Sequence, residues 1–168
     1  PTFWEFAVPF ASLALNLVDE GEDGSPWLQR FGKEFPATKV PFGACVAFLA
    51  PSTSSVGIKQ QKMEPSGTRG VFLGYECKYG CKVGSYLVLP LSAFDGVNLD
   101  VKSKAPRLQD VMVVERIVAV REAPPGAVSV GGWIYPLRSA YERTNGTLEG
   151  RAENMRILAE SEARKSTP

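Results

Sequence analysis

The side chains that most enzymes use for proton transfer or nucleophilic attack are sparse in this sequence. The 168 residues include no histidine and three cysteines, Cys45, Cys77 and Cys81. The lack of histidine excludes Ser-His-Asp and Cys-His catalysis, imidazole metal ligands and a histidine general base. Cys77 and Cys81 could ligate a metal or close a hairpin, but a structural zinc site usually takes four Cys or His ligands. We therefore interpret the cysteines as thiols in a reducing compartment.

The carboxylates are concentrated at the start of the chain. Residues 1–24 contain five acids and no base: Glu5, Asp19, Glu20, Glu22 and Asp23. A two-metal site needs carboxylates that converge on ions ~3.5 to 4 Å apart. Consecutive acids in a glycine-flanked loop are more typical of a solvated segment, and we expect that here rather than a metal site.

The cations are concentrated in the middle of the chain. Residues 56–84 and residues 101–121 each contain five Lys or Arg against two acids, although the whole chain is nearly neutral. This asymmetry indicates either an anionic partner or a solvated basic face. Tyr79 lies between Lys78 and Gly80 and is the aromatic residue that we most expect to be exposed. Core packing is the expectation for Phe72 and Tyr86, with a base-stacking platform or a methyl-lysine cage as the alternative.

Two helices are expected before residue 41. Apolar residues surround the helical wheel of residues 3–18, which suits a helix packed on several sides, and Pro9 predicts a kink or a restart. Ser25, Pro26 and Gly32 are typical of an N-cap, a first helical residue and a left-handed C-cap. They predict a short helix over residues 26–31.

From Pro41 the apolar pattern becomes that of strands. Short runs rich in Val, Leu, Phe and Tyr cover residues 44–49, 70–75, 85–91 and 109–120 and predict a small antiparallel barrel or sheet. Pro90 should lie at an edge or a strand end, because it has no N–H to donate. Residues 50–69 and 76–84 are expected to be basic loops.

The remaining segments have weaker signals. Residues 123–137 are rich in Pro and Gly and are expected to form a linker or a strap anchored by Trp133 and Tyr135. Helical spacing predicts a C-terminal amphipathic helix from Leu148 to Arg164. No run of 18 apolar residues is present and the first segment lacks a basic start, so we expect neither a membrane span nor a signal peptide.

Five motifs occur in an order that resembles a known family. They are Phe3-Trp4 with Leu15-Asn16, Ser25-Pro26-Trp27, Pro41-Phe42-Gly43, Lys62-Met63-Glu64-Pro65 and Gly70-Val71-Phe72-Leu73-Gly74-Tyr75. Over residues 3 to about 121 the chain resembles the integrase region of Copia-type retrotransposon polyproteins. It departs from that family in lacking a His-containing zinc module, in having Pro9 inside a helix, and in having Glu115-Arg116 where the family often has Ser-Arg-Asp.

The resemblance implies an α+β fragment of a Pol polyprotein. Residues 1–40 would be a helical remnant of the ribonuclease-H-like core, 41–121 a small SH3-like antiparallel barrel, 122–147 a linker or strap, and 148–168 a terminal helix and tail. The parent would be a Mg²⁺-dependent polynucleotidyl transferase whose acidic triad lies upstream of Phe3. We therefore expect no catalytic residue and no cofactor in this chain, with Mg²⁺ confined to the missing core.

With the resemblance, nucleic-acid binding becomes the favoured function. We expect nonspecific binding of DNA phosphates, in the cytoplasm and nucleus, in support of DNA integration. The candidate binding residues are Lys59, Lys62, Arg69, Lys78, Tyr79, Lys82, Lys102, Lys104 and Arg107. The alternative is a protein-interaction module for integrase multimerisation or chromatin targeting. Exposed Phe3, Trp4, Phe6 and Phe10 would also favour self-association through the first helix.

Overall fold

The computed structural model describes residues 3–18, 24–50, 67–78, 82–95, 97, 106, 108–121 and 128–145. As expected, the fold is mixed α+β, with helices followed by an antiparallel sheet. The elements are α1 (Trp4–Leu17), α2 (Pro26–Phe31), β1 (Cys45–Phe48), β2 (Thr68–Lys78), β3 (Lys82–Pro90), β4 (Met112–Val114), β5 (Ile117–Ala119), β6 (Ser129–Val130), β7 (Trp133–Ile134) and α3 (Pro136–Asn145), with 3₁₀ turns at Leu91–Phe94 and Leu108–Asp110.

Local capping explains α2, which has the bounds predicted from the sequence. The Ser25 hydroxyl accepts a hydrogen bond from the Leu28 N–H at 3.3 Å, and Pro26 is the first helical residue. Gly32 adopts φ 64° and donates its N–H to the Leu28 carbonyl. This cap directs Trp27 into the core, where the side chain is 5% exposed.

The first helix, α1, runs without interruption from Trp4 to Leu17, so the restart considered for Pro9 does not occur. Pro9 lies in the second turn, where its missing N–H removes a single backbone bond. The face of α1 that meets the sheet consists of residues at helical spacing: Phe3, Phe6, Phe10, Leu13 and Leu17. These residues tie α1 to the same cores as the strands.

Five strands form one sheet in the order β4-β3-β2-β1-β5, and every ladder is antiparallel. The expected barrel is not closed, because β4 and β5 are the two edges of this sheet and share no ladder. The reason is their connection: only Glu115 and Arg116 separate them, and β5 continues away from β4 instead of folding back along it. The run predicted as one strand over residues 109–120 is therefore two strands at opposite edges.

The two-residue connection also requires that the sheet be curved. In a flat sheet, four inter-strand spacings would separate β4 from β5 by about 19 Å. The three backbone steps from Val114 to Ile117 span at most about 11 Å. The two edges must therefore approach each other at Glu115-Arg116, and the sheet wraps around its inner face.

The inner face holds the larger core. It joins Val46, Phe48, Phe72, Val88 and Val114 of the strands to buried residues before the sheet, namely Trp27, Phe35, Val40 and Ala44. Val71, Leu73 and Leu89 form a second cluster on the other face, covered by Phe3, Phe6 and the 3₁₀ turn after β3. Pro90 ends β3, as predicted, opposite Gly70.

The segment expected to be a strap contains regular structure. β6 and β7 form a hairpin through Gly131 and Gly132, whose φ angles of 57° and 76° suit a tight two-residue turn. Helix α3 follows directly, and Ser139 joins it to the hairpin by accepting the Val128 N–H and donating to the Tyr135 carbonyl. The helix predicted over residues 148–164 and the acidic residues 19–23 lie outside the described residues.

Candidate nucleic-acid interface

The ladders define two ends of the sheet. At the first, Phe48 of β1 pairs with Thr68 of β2, and Pro90 of β3 lies opposite Gly70. The long connections from β1 to β2 and from β3 to β4 both leave from this end, which we call the connection end. At the second, the hairpin end, Lys78 pairs with Lys82. Gly70 and Lys78 are eight residues apart on one strand, so the two ends are separated by about 26 Å.

The sheet order shows at which end each segment that contains predicted binding residues begins and ends. Lys59, Lys62, Tyr79, Lys102, Lys104 and Arg107 lie outside the described residues, but the strands that bound their segments are described. Six belong to segments that begin and end at the connection end: Lys59, Lys62, Arg69, Lys102, Lys104 and Arg107. Lys78, Tyr79 and Lys82 belong to the hairpin end.

Arg69 is the predicted site residue whose side chain the structure describes. It is exposed on the outer face of β2 and lies in register with Ala47 of β1, which in turn pairs with Val118 of β5. In the described ranges of the chain, no carboxylate forms an ion pair with Arg69. The guanidinium can therefore reach a phosphate without first breaking an ion pair with one of those residues.

Arg116 is a candidate that the sequence analysis missed. It is exposed and immediately precedes Ile117, which pairs with Phe48 at the connection end. Its basic segment was visible in the sequence. Its position at the connection end depends on the pairing of β5 with β1, and no sequence pattern within residues 109–120 indicates that pairing.

Cys45 is part of the buried core and not of the exposed surface that carries Arg69. Its thiol is buried, and burial raises the pKa of Cys45, while the charge of Arg69 acts in the opposite direction. The thiol therefore stays protonated at neutral pH and is a poor nucleophile. Cys77 is exposed on β2, and Cys81 lies outside the described residues.

The strand aromatics form part of the core and not a stacking platform. Phe72 is fully buried, and its ring lies 5.0 Å from that of Tyr75 and 6.3 Å from that of Tyr86. The Tyr75 hydroxyl donates to the Thr38 carbonyl at 2.8 Å and accepts from the Val40 N–H at 3.0 Å. Burial is the main cause that raises the pKa of Tyr75 to about 12. The core interpretation of Phe72 and Tyr86 is confirmed.

An apolar groove of about 510 Å³ lies between α1 and the β6–β7 hairpin. Its lining includes Phe10 and Tyr75 on one side and Trp133 and Tyr135 on the other, and we call it the α1–hairpin groove. Lys39 is the one charged residue among the described lining residues, and the Lys39 ammonium donates to the Leu17 carbonyl at 3.4 Å. A cation in the wall disfavours a methyl-lysine ligand here.

Within the described part of the chain, no group of three or more Cys, Asp or Glu side chains is arranged to hold a metal ion. No step of the proposed function below depends on Mg²⁺. The helices that the structure describes also include none that is long and apolar enough to cross a membrane.

Comparison with known proteins gives no relative: no family model, no curated protein and no solved structure matches this chain significantly.

Proposed function

We propose that the chain binds the phosphate backbone of DNA, without sequence preference, through the connection end of its sheet. In this proposal it is a non-catalytic part of a Copia-type retrotransposon integrase that holds DNA inside the cell, in the cytoplasm and nucleus. The scaffold would be SH3-like in strand order, with the fifth strand returning beside the first, but open between β4 and β5.

The observation that carries the proposal is the shared origin of the two long connections. Both β1 and β3 end at the connection end, where Arg69 also lies. The segment with Lys59 and Lys62 and the segment with Lys102, Lys104 and Arg107 therefore start from this end. Loops anchored on paired strands keep a common origin while their side chains adapt to a polyanion. Exposed Arg116 adds a further cation at the connection end.

Salt dependence gives the primary test. If the six predicted cations of the connection end, without Arg116, each neutralise one phosphate, a log-log plot of the association constant against salt should have a slope of about −5. The measurement is fluorescence anisotropy of a labelled duplex titrated with the chain over a series of salt concentrations. A slope near zero would eliminate phosphate binding as the function.

Matched substitutions then locate the surface. Arg69→Ala should reduce the slope by about 0.9 and weaken binding to all duplex sequences equally. Lys33→Ala is the control, because it removes the same charge from an exposed residue after α2 that lies outside both groups. Equal effects of the two substitutions would show that net charge, and not the connection end, determines binding.

The hairpin end provides a second comparison. Lys78→Ala with Lys82→Ala removes two cations about 26 Å along the sheet from Gly70. We expect this pair to change the slope by less than Arg69→Ala does. A larger effect would transfer the interface to the hairpin end and contradict the present assignment.

A further inference from the structure

The outer side of α1 carries a second apolar face that the described residues leave exposed. We define the α1 stripe as Trp4, Val8, Ala11, Leu15 and Val18. The large members are 63%, 53%, 71% and 51% exposed, respectively, and Ala11 is exposed as well. They supply four of the eight large apolar side chains exposed in the described residues. Single exposed apolar residues are ordinary, but a contiguous row on one helix marks an interaction surface.

The spacing of the α1 stripe is that of a helix–helix seam. Its helical members, from Trp4 to Leu15, are separated by four, three and four residues, which is the repeat of a left-handed helical pair, and Val18 is the extended C-cap residue that follows the helix. The sheet-facing residues of α1 have a separate set of positions, from Phe3 to Leu17. Glu5, the charged residue of α1, belongs to neither face. No charged residue therefore interrupts the α1 stripe.

We propose that the α1 stripe pairs with the same stripe of a second copy of this chain, antiparallel, about a twofold axis at Ala11. The stripe is close to symmetric about that residue: Val8 and Leu15 flank it, and Trp4 and Val18 lie at the two ends. A twofold contact requires such a self-complementary surface. The small Ala11 side chain at the axis lets the two helices approach closely.

The charge around α1 selects the antiparallel orientation. Four acids, Asp19, Glu20, Glu22 and Asp23, follow Val18 directly in the sequence. A parallel pair would place both sets of acids side by side. An antiparallel pair brings the C-terminal end of each α1, which these acids follow in the sequence, to the N-terminal end of the partner's α1, where the helix dipole favours negative charge.

The α1–hairpin groove accommodates the ends of the pair. Val18 lines the groove together with Val130 and Trp133. The proposed pairing brings Trp4 of one copy to Val18 of the other, so each copy inserts an indole into the partner's groove. Buried Trp residues in such pockets dominate interface energies. Two Trp side chains, each 63% exposed, supply roughly 190–320 Å² of the about 1,000 Å² that a stable interface needs, and Val8 and Leu15 add to it.

Sedimentation velocity of the full chain over a concentration series tests the association. We expect a monomer–dimer equilibrium, and we expect Trp4→Ala to raise its Kd by about 30-fold or more. The control is Val118→Ser, which removes an equally exposed apolar side chain from β5, 69% exposed, and should leave Kd unchanged. A chain that stays monomeric at every concentration, or an unchanged Kd for Trp4→Ala, would overturn the proposal.

Cysteine cross-linking tests the orientation in a background with Cys77→Ser and Cys81→Ser. Ala11→Cys should form a disulfide-linked dimer on mild oxidation, because the two copies of residue 11 meet at the axis. Leu15→Cys should not link to itself, since its counterpart lies on the other side of the axis. Equal cross-linking at both positions would indicate a parallel pair and refute the twofold arrangement. Neither result depends on DNA binding.

Discussion

Gly70→Ala is expected to destabilise the fold although alanine is usually the better residue within a strand. A Cβ built on Gly70 would lie 2.6 Å from Val88 Cγ1, 2.8 Å from Phe48 Cε1 and 2.8 Å from the Leu89 carbonyl oxygen. The two side chains are buried at 0% and 3% exposure, and the oxygen belongs to the paired strand. None of the three can retreat without disturbing the core or the β2–β3 ladder.

The magnitude follows from two opposing effects. Replacing glycine by alanine in a strand gains about 0.5–1 kcal/mol in backbone entropy. Overpacking a well-filled core costs typically 1–3 kcal/mol, and here one of the contacts is backbone. We therefore expect a net loss of about 1–2 kcal/mol in the free energy of unfolding, or about 2–8 °C in Tm for a chain of this size.

Gly84→Ala is the matched control in the neighbouring strand. A Cβ there meets nothing within 4 Å, and Gly84 is exposed and does not have a positive φ. The same substitution should stabilise the protein by about 0.4–1 kcal/mol. Urea unfolding followed by circular dichroism measures both, with the m-value as the check that two-state behaviour is retained. A Gly70→Ala protein as stable as the parent would refute the packing described for this part of the sheet.

Three further substitutions test the core and the contact between α3 and the β6–β7 hairpin. Phe72→Ala should cost about 3–5 kcal/mol of unfolding free energy in urea titration, because the ring is fully buried. Tyr75→Phe should cost about 1–3 kcal/mol at pH 8, because it leaves the buried Val40 N–H without its acceptor. The pKa of Tyr75 is raised from its ordinary value of 10 to about 12 in the folded state. The contribution of Tyr75 to the free energy of unfolding should therefore be complete below pH 10 and decline as the pH rises to 12. Unfolding measured at both pH values should show this decline in the parent protein and not in Tyr75→Phe. Ser139→Ala should increase amide exchange at Val128, measured by hydrogen–deuterium exchange, because the hydroxyl accepts that N–H.

The elements that were predicted correctly depend on signals a few residues apart. Ser25, Pro26 and Gly32 determine both ends of α2, and the apolar runs locate β1 and the central parts of β2 and β3. The loop prediction was wrong for residues 68–69, 76–78 and 82–84, which belong to β2 and β3. The missed features depend on partners far along the chain. The split at Glu115-Arg116 arises because β5 pairs with β1, some 70 residues earlier, and nothing in residues 109–120 encodes that partner.

The same distinction applies to the candidate site. Charge counts along the chain identified the cationic segments, but the assignment of six residues to one end and three to the other requires the sheet order. The sequence also predicted that α1 would be apolar on all sides. It did not show which side the sheet covers, and that side decides which residues a second copy could meet.

The two-residue connection Glu115-Arg116 between β4 and β5 affects the order in which the protein folds. The β2–β3 hairpin closes a short loop and can form early. Pairing of β5 with β1 closes a loop of about 70 residues and therefore has the larger loop-closure entropy cost. Seating of β5 is thus expected to be the late and slow step. A nascent polypeptide that has not yet emerged past Ala119 would leave one edge of β1 unpaired, and any shortened version ending before Ile117 would be prone to strand-mediated aggregation.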